Sequence, residues 1–254
     1  MRMKYVTKMK PIMQQAADIV MSYFRQDVAI HRKQDRSIAT EADLASETCL
    51  KQGLAELIPG SGFIAEESGN GQGNEYTWVI DPIDGTKNFS RGLPYFCINV
   101  ALMKDDDLVA AVTYYPAMQE WYYAELGQGA WRNDVRLRLD QPNWQDKGAL
   151  VVISDFRVRQ SQLLVSIKQA CKPLTHVRFR VYGAAALDLA YTAAGTFDAV
   201  LFENLGWWDA AAGVLLVTEA GGYVAQYDGS PVNKSFKTLI AGHRELCDRI
   251  LPHL

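Results

Sequence analysis

The sequence predicts a two-part protein of the α+β / α/β class, with helices and a largely antiparallel sheet first and a strand–helix alternation second. Three observations carry this reading. Two helical stretches open the chain, several strand-like runs separated by turn residues follow, and after the polar stretch QPNWQDKG strands and helices alternate. The change of rhythm puts a boundary near residues 139–148, giving an N-terminal lobe over 1–140 and a C-terminal lobe over 141–254 packed against each other.

In chain order, Pro11 fits the first turn of a helix carrying Ile12, Ala16, Ile19, Val20 and Tyr23 on one face. A second helix lies in TEADLASETCLKQGLAELIPG, where Thr40 can cap, Leu50, Leu54 and Leu57 form the apolar stripe, and Pro59 and Gly60 stop it. GFIAEE and TWVIDP read as strands on either side of a flexible SGNGQGNE loop. CINVALM, LVAAVTYY and EWYYAEL then form a meander, with a turn at Asp105 to Asp107. Beyond the boundary come ALVVIS, a helix around Leu163 to Ala170, HVRFRVY, the helix LDLAYTAAG, FDAVLFE, the helix WDAAAGVLLVTEAGG, TLIAG and HRELCDRIL.

At 254 residues and 48 % hydrophobic, the chain can bury a sizeable core, which excludes disorder as its default. Its net charge of -3, from 26 basic and 29 acidic residues, lacks the basic face of a nucleic-acid binder, so no nucleic-acid partner is expected. Cys49, Cys97, Cys171 and Cys247 fit no zinc spacing and read as reduced thiols of a cytoplasmic protein. The N-terminus is too often interrupted by polar residues to form a signal-peptide core, and the apolar run from Ala210 to Val217 is too short to span a bilayer. A soluble protein with no membrane partner is expected.

The chemistry is concentrated in TWVIDPIDGTKNF. Thr77 to Ile80 favour a buried strand and Pro82 forbids its continuation, so Asp81 and Asp84 project from its C-terminal edge, where open α/β sheets keep their ligands. Two aspartates held together repel unless a cation lies between them, and their hard oxygens suit Mg2+ or Mn2+ better than zinc. Other acids at element ends are candidates for the rest of such a site. Glu66 and Glu67 follow an apolar strand and alternatively form an exposed acidic turn. Asp209 opens a small-residue helix, where a cap and a ligand are compatible roles. Asp43 lies three residues after Thr40, and a capping box accounts for it by itself. Gly85 and Thr86 sit where a turn exposes N–H groups able to hold phosphate, whereas the SGNGQGN glycines lack phosphate-loop spacing.

Four segments, TEAD, GFIAEES, WVIDPIDGTKNF and WWDAAAGVLLVTEAGG, the last preceded by YGAAALDLAYTAAGTFDA, together resemble the inositol monophosphatase family, a branch of the Mg2+-dependent, lithium-sensitive phosphatases. The resemblance implies a layered αβαβα sandwich of the inositol monophosphatase / fructose-1,6-bisphosphatase type, usually dimeric. It implies two or three Mg2+ per site. Glu66, Asp81 and the Ile83 carbonyl would hold the first, Asp81, Asp84 and Asp209 the second, and a third would lean on Glu66. Asp43 would orient Thr86, and Glu66 with Thr86 would position the attacking water. Lys33, in the RKQDRS loop, matches the family's lysine near the site at a spacing that varies among relatives. No histidine is required.

For substrate contacts the resemblance implies Gly85, Thr86, Gly183 and Ala185, with a glutamate seven residues before the WD aspartate touching inositol hydroxyls. Here that position is Phe202, with Glu203 displaced by one; a one-residue deletion in NLGWW would let Glu203 reach the same hydroxyls. The implied activity is Mg2+-dependent hydrolysis of myo-inositol 1-phosphate or a similar small polyol phosphate. The displaced glutamate leaves a second reading open, a related phosphatase acting on 3'-phosphoadenosine 5'-phosphate, fructose 1,6-bisphosphate or NADP. A reading of another class is a regulatory protein that binds transcription machinery, as the resemblance implies for some bacterial members.

Overall fold

Helix α1 (Val6–Tyr23) and helix α2 (Glu41–Leu57), joined by a ribbon of β1 (Ile30–Arg32) and β2 (Ile38–Thr40), form the first of five layers. The computed structural model describes residues 3–32, 38–139, 142, 144–154 and 160–254. The second layer is an eight-stranded sheet built from β3 (Gly62–Ala65), β4 (Gly69–Gly71), β5 (Tyr76–Asp84), β6 (Cys97–Lys104), β7 (Asp107–Tyr115), β8 (Glu120–Glu125), β9 (Ala130–Arg132) and β10 (Val135–Arg136). Its order is β10-β9-β8-β7-β6-β5-β3-β4, antiparallel except where β3 runs parallel to β5. The short helix α3 (Thr86–Ser90) follows β5 directly.

The second half supplies α4 (Trp144–Lys147), β11 (Ala149–Ile153), α5 (Gln160–Cys171), β12 (Val177–Arg180), α6 (Ala185–Ala193), β13 (Ala199–Glu203), α7 (Trp207–Glu219), β14 (Tyr223–Ala225), β15 (Thr238–Gly242) and α8 (Arg244–Ile250). The five strands order as β12-β11-β13-β15-β14, with β15 antiparallel to both neighbours. Helices α6 and α7 lie between the two sheets, and α5 and α8 cover the far side of the second. The layering is αβαβα.

Strand alternation produces these layers, because successive side chains point to opposite faces. On β6, Ile98, Val100 and Leu102 pack with α1 and α2, whereas Ala101 and Met103 pack with the middle helices. On β13, Val200 and Phe202 join the middle layer and Ala199 and Leu201 join α5 and α8. Each such large apolar side chain contributes about 1.5–3 kcal/mol by leaving water. Small residues let the middle helices come close: a Cβ on Gly213 of α7 would lie 2.4 Å from the Cβ of Leu189 on α6. Among the described residues, no helix is long and apolar enough to cross a membrane.

Two local expectations are corrected. Helix α1 begins at Val6, so Pro11 lies inside it and not in its first turn. The reason is a long-range cap: Glu125 at the end of β8 accepts the N–H groups of Lys4 (2.9 Å), Tyr5 (2.5 Å) and Val6 (2.8 Å), satisfying donors that a helix start leaves open. The SGNGQGNE segment is not simply a loop, since residues 69–71 pair with β3 as an edge strand. Its glycines serve close backbone approach, for a Cβ on Gly73 would fall 1.8 Å from the Gly62 nitrogen.

Glu125 is 7 % exposed, so its three bonds are shielded from competing water. Glu125→Ala is expected to cost about 2–4 kcal/mol, the loss of charge-assisted bonds plus orphaned donors, or roughly 5–15 °C in melting temperature. Differential scanning fluorimetry checks it. An unchanged melting temperature would mean that α1 is not held by this cap.

Candidate metal centre

Strand β5 is buried from Trp78 to Asp84 and runs between β3 and β6. Pro82 has no N–H to give to the ladder, and β5 loses register with β6 between Asp81 and Asp84. The turn is closed by the Ile83 N–H, which donates to Asp81 Oδ1 at 3.0 Å. Both carboxylates therefore leave the C-terminal end of the strand. Gly85 follows with φ of 90°, and an added Cβ would meet Ala184 Cβ and the Tyr95 carbonyl oxygen at 3.0 Å each. Only glycine fits there.

Asp209 arrives from the other half on the first turn of α7. Its Oδ2 accepts the Gly206 N–H at 2.7 Å, so it is a cap as well as a member of the cluster. A relay across the sheet sets its position: Thr113 donates to Asn99 Oδ1 at 2.6 Å, and Asn99 Nδ2 donates to the Trp208 carbonyl at 2.7 Å. Asn99 is the residue opposite Asp81 in the ladder, which draws the start of α7 toward Asp81. One carboxylate oxygen each from Asp81, Asp84 and Asp209 lies within 4.8 Å of the others.

The remaining acids surround this trio. Glu66 extends the pairing of β3, its N–H donating to the Ile80 carbonyl at 3.2 Å, and its carboxylate bears directly on Asp81. Asp43, buried in the first turn of α2, accepts the Thr40 N–H (2.7 Å) and hydroxyl (2.6 Å) on Oδ2, leaving Oδ1 3.0 Å from the Thr86 hydroxyl. The capping box and the contact with Thr86 coexist. Thr86 Oγ1 is also 2.9 Å from the Ile83 carbonyl, and its single proton serves one acceptor at a time.

Asp84 is held from a second direction. Its carboxylate accepts the N–H groups of Ala185 (3.1 Å), Ala186 (2.8 Å) and Leu187 (3.2 Å) at the N-terminus of α6. Gly183 and Ala185 thus sit beside the cluster, and with Asp84, Asp188 and Asp209 they border a cavity of about 240 Å³. A larger groove of about 630 Å³ runs between α1 and α2 around Leu44 and Cys49, with Glu41 its one acid. Lys33 falls outside the described residues.

Glu203 is not among the described residues bordering the cavity; Phe202 is. Alternation along β13 decides this, since Phe202 faces the middle helices and Glu203 takes the opposite side, where its charge bears on Tyr227. Of the two alternatives that the spacing left open, this geometry favours the one in which Phe202, not Glu203, forms the wall.

The electrostatics follow from burial and like charge. Burial, then the charges of Glu66, Asp84 and Asp209, holds Asp81 well above the usual carboxylate range. Burial and then Asp188 push Asp84 up to about 7, opposed by the N–H groups of Leu187 and Ala186. Asp209 is pushed up to about 8 by burial, then by Asp84 and Glu66. Burial also raises Asp43 to about 6, against its bonds from Thr40 and Thr86. The neighbours acting most strongly on the trio are other carboxylates, an arrangement that calls for a cation at neutral pH. With oxygen donors throughout, the set fits Mg2+ or Mn2+.

Sequence reading passed over two groups here. Glu47 of α2, buried at 3 % exposure, accepts the N–H groups of Glu67 (2.9 Å) and Ser68 (3.0 Å), fixing the turn that carries Glu66. Its signal was its place four residues after Asp43, in line with Leu50 and Leu54 on the inward face. Asp188, also buried, borders the cavity and accepts the Tyr95 hydroxyl at 2.6 Å. It lay inside an apolar helical run, where a buried acid marks a site.

Comparison with known proteins gives the geometry a family. The profile of the "Inositol monophosphatase family" matches residues 3–254. The chain is 35% identical over 235 residues to the "Inositol-1-monophosphatase" of Caulobacter vibrioides, covering 90% of this chain and 91% of that one. It is 36% identical over 247 residues to the "Nus factor SuhB" of Pseudomonas aeruginosa, covering 93% and 91%. Among solved structures, the Thermotoga maritima IMPase superposes with a TM-score of 0.87, with 27% identity over 99% of this chain and 96% of that one. With the profile matched from end to end and the acidic cluster assembled from both halves, the chain belongs to the inositol monophosphatase family, a family of phosphoric monoester hydrolases.

Proposed function

We propose that the protein hydrolyses small ring-alcohol phosphates of the myo-inositol 1-phosphate kind, with Mg2+ held by the acidic cluster. The observation that carries this is the convergence of Asp81, Asp84 and Asp209 within 4.8 Å, at the edge of a cavity floored by the N-terminus of α6. Glu66, Asp81 and the Ile83 carbonyl would hold one Mg2+; Asp81, Asp84 and Asp209 would hold a second. Bound there, the ions would acidify a water and neutralise charge on the phosphate.

The chain's own groups then orient the reactants. Asp43 Oδ1 accepts a hydrogen bond from the Thr86 hydroxyl, leaving the lone pairs of the Thr86 oxygen free to accept a hydrogen bond from the attacking water. Glu66, steadied through Glu47, faces the same water from β3. Gly85 lets the phosphate approach the backbone, and Gly183 and Ala185 border the substrate's other end.

Phosphate release from myo-inositol 1-phosphate is expected to need Mg2+, to fall in lithium and to vanish under EDTA. A coupled phosphate assay with added metal checks this, and full turnover in EDTA would refute the metal assignment.

A second reading rests on the relatives named Nus factor SuhB, which match as closely as those named for the phosphatase. On it, the protein also binds transcription machinery. Binding to purified RNA polymerase that survives Asp84→Asn would separate that role from catalysis.

A further inference from the structure

We infer that the leaving alcohol of the substrate is held by an apolar cup, so that this protein prefers ring alcohols with few hydroxyls to fully hydroxylated ones. The inference rests on the phosphatase reading and concerns the other end of the same cavity. Its acidic end, at Asp84 and Asp209, is where a phosphate belongs. The remaining lining is mostly apolar: Ile153, Val181, Ala184, Phe202 and Leu205. Phe202 is only 2 % exposed and forms part of the wall, whereas Val181 is 57 % exposed at the rim. These residues come from four separate elements or loops, so the apolar character belongs to the whole cup and not to one side chain.

Among the described residues, few polar groups there could answer hydroxyls. Ser154 and Asp188 are the polar side chains bordering the cavity besides the two cluster aspartates. Asp188 already accepts the Tyr95 hydroxyl, Asp84 accepts three backbone N–H groups, and Asp209 accepts one. Glu203, the neighbouring acid in sequence, lies on the opposite face of β13. A ring with five free hydroxyls entering this cup loses water that the described lining does not replace, and buried hydroxyls without partners weaken binding strongly. A ring with bare carbon faces matches it. At about 240 Å³ the cavity is below the roughly 300–1,000 Å³ usual for ligand pockets, which favours a small alcohol.

The reaction is hydrolysis: the bond between phosphorus and the ring oxygen breaks, a bond from phosphorus to the water oxygen forms, and the ring oxygen leaves with a proton from that water. One water is consumed for each phosphate released. No other reactant is needed.

The experiment compares kcat/KM for cyclohexyl phosphate and myo-inositol 1-phosphate, with Mg2+ present. Both release a secondary ring alcohol and differ in the hydroxyls. Cyclohexyl phosphate is expected to be favoured by about tenfold or more, with Leu205→Asn and Val181→Ser each narrowing the ratio by raising KM for it. Equal or better turnover of myo-inositol 1-phosphate by the wild type overturns the inference and leaves the phosphatase reading standing. Failure to release phosphate from either ester, or from p-nitrophenyl phosphate, overturns both.

Discussion

Asp84→Asn is expected to lower kcat/KM for phosphate release by roughly a thousandfold or more, about 4 kcal/mol of transition-state stabilisation. The substitution keeps the shape of the side chain and removes its charge. Asp84 stands where three negative groups meet the N-terminus of α6, so on the proposed function it would be a metal ligand, and it links β5 to α6 through its bonds from Ala185 and Ala186. An asparagine can still accept from Ala186 and Leu187 through its oxygen, while its amide turned toward the Ala185 N–H sets donor against donor. That mismatch is local. Loss of one buried like charge works the other way, so in EDTA the variant is expected to melt no lower than the wild type. Activity collapse with an intact EDTA melting temperature identifies a metal-site defect. Undiminished turnover would remove Asp84 from the site, and a steep fall in melting temperature would make its role structural.

What the sequence made legible here was whatever chemistry is local. DPIDGT announces itself because proline, glycine and two acids within six positions admit few structures, and Asp209 because a cap beside two tryptophans opens a small-residue helix. Thr40 and Asp43 were readable as a capping box for the same reason. The unread features are long-range pairs. Glu125 caps a helix about 120 positions away, and Asn99 draws α7 toward β5 across 109 positions. No local pattern encodes either. Phe202 and Glu203 are a subtler case, since sequence spacing left both open and only the facing of β13 chooses between them. One residue of register exchanges an acid for an aromatic ring in the cavity wall.

The metal-free protein is expected to lose stability as pH rises from about 4 to about 8, and Mg2+ is expected to restore it most at the upper end. The sign follows from carboxylates whose folded pKa is raised. Asp84 moves from 3.8 to about 7 and Asp209 from 3.8 to about 8. Between the unfolded and folded values the native state binds more protons than the unfolded chain, so stability is highest below the unfolded pKa and declines through this window. Asp43 and Asp188, raised to about 6 and about 7, add in the same direction. Each pKa unit corresponds to about 1.4 kcal/mol. Because Asp209 keeps an edge open to the cavity and the sites interact, the net loss is expected to be on the order of 5 kcal/mol, or roughly 10–20 °C in melting temperature. Mg2+ binds the charged carboxylates and must displace their protons, so its stabilising effect grows with pH. Melting curves at pH 5.5 and 8, with EDTA and with excess Mg2+, measure all four corners. A melting temperature in EDTA that is as high at pH 8 as at pH 5.5 would mean that some cation of the protein's own already neutralises the cluster, and the case for Mg2+ at Asp81, Asp84 and Asp209 would fall with it.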